Sequence, residues 1–170
     1  VNRMFYDNMM AEGIDVRGFL KVRFPLFTSK VNYRNHRKIV VIDGKVGFVG
    51  GMNIALRYLN GINGGVWRDT HMKISGRAVY GLQTIFLSDW YTMDQTLISS
   101  SPYFPKITQD GSSLIQVVTS DPVGSSRNIM QGLLVAITNA RSYFYIQTPY
   151  FVPSNPVLSA LKAAARCGTD

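Results

Sequence analysis

The chain has a single cysteine, Cys167, so no internal disulfide can form and a disulfide-stapled extracellular scaffold is excluded. It has only two histidines, His36 and His71, too few beside one thiol to build a Cys/His zinc cluster. Acids are scarce. Ten Asp and Glu face eighteen Lys and Arg, a formal +8 that favours anionic partners such as phosphates, acidic lipid or nucleic acid. Long apolar runs are missing as well: the longest are only a few residues, as in Ile39-Val40-Val41-Ile42, where a bilayer-spanning helix needs about 20. No secretory leader is visible. What is present is apolar bulk, 46% hydrophobic and 16% charged over 170 residues. That composition excludes disorder and suits one core of ordinary domain size.

Both ends read as cuts in a longer protein. Val1 stands where an initiator Met would, Met4 to Ala11 looks like the rear of a helix, and Cys167-Gly168-Thr169-Asp170 stops where a strand should begin. The segments 11–15 and 166–170 share one form, helix end, glycine, strand entry, a weak hint of a repeat.

Periodicity gives a coarse map. Ile14 to Phe19 reads as a strand. Residues 17–34 carry Arg17, Lys21, Arg23, Lys30 and Arg34 with no acid, interleaved with aromatics, a solvated loop or a basic collar beside an anion site. His36 to Val49 reads as a hairpin turning at Asp43-Gly44, with its first strand apolar on both faces and so central in a sheet. Val66 to Ile74 alternates as a strand, and Arg77 to about Met93 repeats as an amphipathic helix. Ser99 to Ser113 is the linker candidate. Leu114 to Thr119 reads as a strand, Ile129 to Ala140 as a helix capped by Ser125 or Ser126, and Tyr143 to Gln147 as another strand. A last helix is capped by Ser154 and opened by Pro156. Strands alternating with helices predict an α/β layered fold.

The chemistry concentrates between His36 and Asn53. Residues two apart on a strand share a face, so His36 and Lys38 project together, about 6–7 Å apart, while Asp43 has opposite parity and lies at the turn. An imidazole beside a fixed ammonium suits attack on phosphorus: the ring supplies the nucleophile, the cation steadies the charged oxygens. Gly50-Gly51 lets backbone approach an anion closely, and Asn53 adds an uncharged donor. The order H-x-K-x4-D-x6-G-G-x-N has six fixed residues, a coincidence on the order of one in tens of millions per start.

This stretch resembles the HKD motif of the phospholipase D superfamily. Trp67-Arg68-Asp69-Thr70-His71, Gly76 to Trp90, and Tyr145 to Pro153 look like bacterial cardiolipin synthases. The resemblance implies an α/β lobe with a central mixed sheet flanked by helices over 1–113, and over 114–170 the start of a second, similar lobe carrying the other HKD motif further on. It implies His36 as the nucleophile, Lys38 and Asn53 as holders of the phosphoryl oxygens with Gly50 and Gly51 lining them, and Asp43 in a mainly structural role. It puts Asp69 where an acid orients the histidine ring and asks for no metal or cofactor; it gives His71 no established catalytic duty, which leaves that residue a supporting or core one. Trp67 and Tyr58 either line a lipid pocket or are simply buried aromatics. The implied substrate is phosphatidylglycerol at a membrane surface, on the cytoplasmic face, with cardiolipin and glycerol as products. The fragment alone should be nearly inactive, lacking the second histidine as acid. A nuclease built by dimerisation and a non-catalytic module binding anionic lipid are the other readings, nucleic acid being the less favoured partner.

Overall fold

The computed structural model describes residues 3–19, 35–108, 111–120 and 127–170. They form two compact units, Val1–Val117 and Val118–Asp170. The first contains α1 (Arg3–Ala11), β1 (Ile39–Ile42), β2 (Val46–Gly50), α2 (Arg57–Asn60), β3 (His71–Ser75) and α3 (Val79–Asp94). The second contains α4 (Asn128–Asn139) and α5 (Asn155–Arg166). The α/β expectation is met, and the sheet, in the order β1-β2-β3, is antiparallel at both pairings.

The β1–β2 hairpin forms where the sequence placed it. Asp43 and Gly44 take positive φ of 53° and 64°, the conformation a two-residue turn between twisted strands requires. A side chain on Gly44 would stand 2.7 Å from the Tyr103 carbonyl oxygen, so only glycine fits there. One face of the sheet packs on α3 around Ile74, Val79 and Leu82, joined by Ile39, Val41, Val49, Ile107 and Val117. Gly47 gives α3 its close seat, because a Cβ there would meet Leu82 Cδ1 at 2.6 Å. In the second unit α4 packs on α5, burying Ile137 and Val157.

Several expectations are corrected. Among the described residues β1 is an edge strand, not a central one, and Val40 and Ile42 are exposed on the face away from α3. Apolar residues on both faces mark a central strand only if something covers both. Ile14 to Phe19 is irregular: Arg17 leaves the ladder direction to bond Asp15 and Asp94 and to lie over the Trp90 ring. Leu114 to Thr119 joins no sheet among the described residues, and its Val117 packs on Gly81 instead. Tyr143 to Gln147 is likewise outside any strand, although Phe144 N–H donates to Asp170 O (2.7 Å) and Asp170 N–H to Ser142 O (3.0 Å). The start of the linker candidate is anchored, with Tyr80 Oη donating to Pro105 O, Ile107 N–H donating to Tyr80 Oη, and Gln83 donating to Tyr103 O. Ser154 occupies the N-cap of α5, but its hydroxyl turns to the Met130 sulfur rather than capping. Most of the basic stretch (20–34) and the caps Ser125 and Ser126 lie outside the described residues.

Candidate active site

The site is built on the run into β1. Odd-numbered residues 35, 37, 39 and 41 face α3: Ile39 and Val41 join the core, while Asn35 and Arg37 converge on one carboxylate, Asp89 of α3. Asn35 Nδ2 donates to Asp89 Oδ2 (2.8 Å) and Arg37 Nη1 to Asp89 Oδ1 (2.6 Å). Asp89 thus clamps both neighbours of His36. By strand parity the clamp turns His36 and Lys38 to the opposite face of the sheet, the one bearing exposed Val40 and Ile42. His36 is exposed, Lys38 is half-buried, and the Lys38 ammonium donates to the His36 carbonyl oxygen at 2.6 Å. This bond ties the lysine to the histidine's backbone, not to its ring.

The β1–β2 register, continued by one step, sets Lys38 opposite Gly50, and Gly50 pairs with His71 of β3. The row therefore reads Lys38, Gly50, His71. The absence of a side chain on Gly50 has a local cause: a Cβ would stand 2.6 Å from His71 Cα and 2.7 Å from His71 Nδ1. Gly51 is similar, for a Cβ there would run into the Asp69 carboxylate. The space over both glycines is thus taken by β3 and the residues leading into it. His71 Nδ1 is buried and is the one such side-chain atom without a hydrogen-bond partner among the described residues.

The other expected residues are less tightly gathered. Asp69 is exposed, and its Oδ1 accepts from the Thr70 N–H at 2.8 Å; among the described residues no hydrogen bond joins it to the His36 ring. A local backbone donor holds this acid, which is why sequence spacing alone does not fix its partner. Asn53 Nδ2 donates to the Tyr58 hydroxyl (3.1 Å). That bond, with the Arg57 guanidinium, holds the Tyr58 phenol below its ordinary pKa. Asp43 sits at the far end of β1, about 20 Å along the strand from His36. It belongs to the turn and not to the His36 end. Trp67 and Tyr58 meet edge to face, with Arg57 over both rings. Among the described residues no cluster of three or more His, Cys, Asp or Glu is arranged to hold a metal ion.

Sequence reading missed the Asp89 clamp. Its signal was present in Asn35 and Arg37, polar residues of one parity, before a helix whose two acids are Asp89 and Asp94.

Comparison with known proteins agrees with the motif. The chain is 41% identical over its whole length to a cardiolipin synthase of Geobacillus kaustophilus and 41% to cardiolipin synthase 2 of Bacillus cereus, covering 34% of each. It is 39% identical over 99% of its length to a cardiolipin synthase of Listeria monocytogenes, covering 36% of it. The chain spans about a third of the length of the curated relatives it matches. No protein-family model matches the chain, and no solved structure matches it significantly. Identity sustained from end to end makes the chain similar to a segment of bacterial cardiolipin synthases, one that corresponds to about a third of their length.

Proposed function

We propose that this chain is part of a phosphatidyltransferase that makes cardiolipin from two molecules of phosphatidylglycerol. His36 attacks the phosphorus of the first diester. The bond to one glycerol oxygen breaks, and that oxygen takes a proton from an acid on a second HKD lobe of the same protein. Lys38 and Asn53 hold the non-bridging oxygens as charge builds on them. The phosphatidyl group now resides on the His36 ring, and free glycerol departs. The headgroup hydroxyl of a second phosphatidylglycerol gives up its proton to the same acid and attacks phosphorus. His36 leaves, cardiolipin is released, and the starting protonation states are restored.

In this reading Asp69 reorients from Thr70 to the ring of His36 as the imidazolium forms, and Asp43 keeps its structural place. Residues 114–170 open the second lobe, and the chain by itself lacks the acid, a deficit of about 10²–10⁴-fold in rate. The formal +8 charge suits the anionic cytoplasmic leaflet.

The observation that supports the reading most is the His-x-Lys spacing of His36 and Lys38 in a chain 41% identical over its whole length to a cardiolipin synthase. The test is His36→Asn in the intact protein, incubated with phosphatidylglycerol labelled in phosphorus. Cardiolipin output and acid-labile label on the protein should both vanish. Undiminished cardiolipin from that variant would remove His36 from the mechanism.

A further inference from the structure

Between β2 and β3 the chain makes an excursion with its chemistry inside out. Its polar and aromatic groups are occupied with one another: Asn53 bonds Tyr58, and Arg57 covers the rings of Tyr58 and Trp67. A tight turn through Asn63 and Gly64, both at positive φ, is closed by two backbone hydrogen bonds between Ile62 and Gly65. The aliphatic side chains are left outward. Ile54 is 102% exposed, Val66 95%, Leu59 83% and Leu56 72%. One exposed leucine means nothing, but four fully presented aliphatics on a braced loop are a different case. There is also no acid between Asn53 and Asp69, while Arg57 and Arg68 both fall in that stretch.

We propose that residues 54–66 are an interfacial element that dips into a bilayer containing anionic phospholipid and carries the site to its substrate. The inference rests on the proposed function for its choice of lipid. Drawing a diacyl lipid out of a membrane costs about fourfold in partition for each methylene exposed to water. A site that works on such a lipid must therefore reach the headgroup plane, and some part of its surface must be at ease among acyl chains. An acid-free, aliphatic loop whose base is Asn53 meets both needs. Its arginines match the negative headgroups while its leucines enter the acyl boundary.

The test places an environment-sensitive nitrobenzoxadiazole probe at Leu59→Cys in the intact protein with Cys167→Ser, and at Lys45→Cys as reference. Lys45 lies at the β1–β2 turn, the other end of the hairpin. On vesicles of phosphatidylglycerol and phosphatidylcholine, the Leu59 probe should shift to the blue and be quenched by nitroxide lipids, with the Lys45 probe unchanged. Identical spectra at the two positions would overturn the inference. A second variant, Leu56→Ser with Leu59→Ser, should lose about tenfold or more of its turnover on vesicles and keep its turnover on monomeric short-chain phosphatidylglycerol. An equal loss on both substrates would identify the loop as an internal packing surface and also overturn the inference. If the unaltered protein turns over neither substrate, the proposed function fails while the probe spectra still decide the insertion.

Discussion

Gly50 and Gly51 are adjacent, yet an alanine should act quite differently at each. At Gly51 the atoms nearest the new Cβ are all in the Asp69 side chain, with Cγ at 2.8 Å and Oδ2 at 2.9 Å besides the nearer Oδ1. A carboxylate can rotate away. The cost is its bond from Thr70 N–H and some rotamer strain, together about 1–2 kcal/mol. At Gly50 the Cβ meets backbone, the Thr70 carbonyl oxygen and His71 Cα, as well as His71 Nδ1. Backbone yields only if the β2–β3 ladder parts, so the cost should reach about 3 kcal/mol or more. In a chain of this size that separates a loss of about 2–8 °C in melting temperature from one of about 6–12 °C. Second substitutions sharpen the contrast. Asp69→Ala removes the three atoms nearest the new Cβ of Gly51→Ala, so the double variant should melt close to Asp69→Ala alone. His71→Ala leaves the backbone obstruction at Gly50 in place and should rescue little. Thermal unfolding of the four single and two double variants is the assay. Equal melting temperatures for Gly50→Ala and Gly51→Ala would refute the close β2–β3 contact on which the row Lys38, Gly50, His71 depends.

Asp89→Ala should release Asn35 and Arg37 together, costing about 2 kcal/mol in a denaturant titration. If the clamp aims His36, kcat for cardiolipin formation should fall at least tenfold with KM little changed, and Asp89→Glu should recover part of it. Asn53→Ala removes the donor that lowers the Tyr58 pKa, so ultraviolet titration of the tyrosinate should move up toward the ordinary value; an unmoved titration would sever the Asn53–Tyr58 link. Asp94 is held below the usual carboxylate range by the Thr96 backbone N–H and then by Arg17. Its contribution to stability is therefore present above about pH 4 and lost as pH falls through the depressed value. Asp94→Asn should flatten the acid limb of a stability–pH curve, and an unchanged limb would show that the acid is not coupled to folding.

Much of the first unit was legible because its signals are local. Asp43-Gly44 between two β-branched runs specifies a hairpin, and the spacing of Val79, Leu82, Phe86 and Trp90 specifies α3. The His-x-Lys spacing predicts one shared face for the two side chains from local parity alone. What sequence could not supply was pairing. Residues 14–19, 114–119 and 143–147 have strand-like composition, but a strand exists only when a partner is beside it, and that is decided elsewhere in the chain. The same limit hid the reason for Gly50 and Gly51, whose neighbours on β3 and just before it are twenty residues distant, and the Asp89 clamp, fifty-four residues from Asn35.

The ammonium of Lys38, resting on the carbonyl of the histidine two residues before it, has a bearing on selectivity. A neutral guest offers this lysine one oxygen in exchange for another, and the swap gains almost nothing. Under the proposed function, an anionic phosphodiester offers the ammonium a full charge where the carbonyl offers a dipole, and so is favoured over a neutral guest. On that reading the resting contact is a filter that favours a guest carrying negative charge.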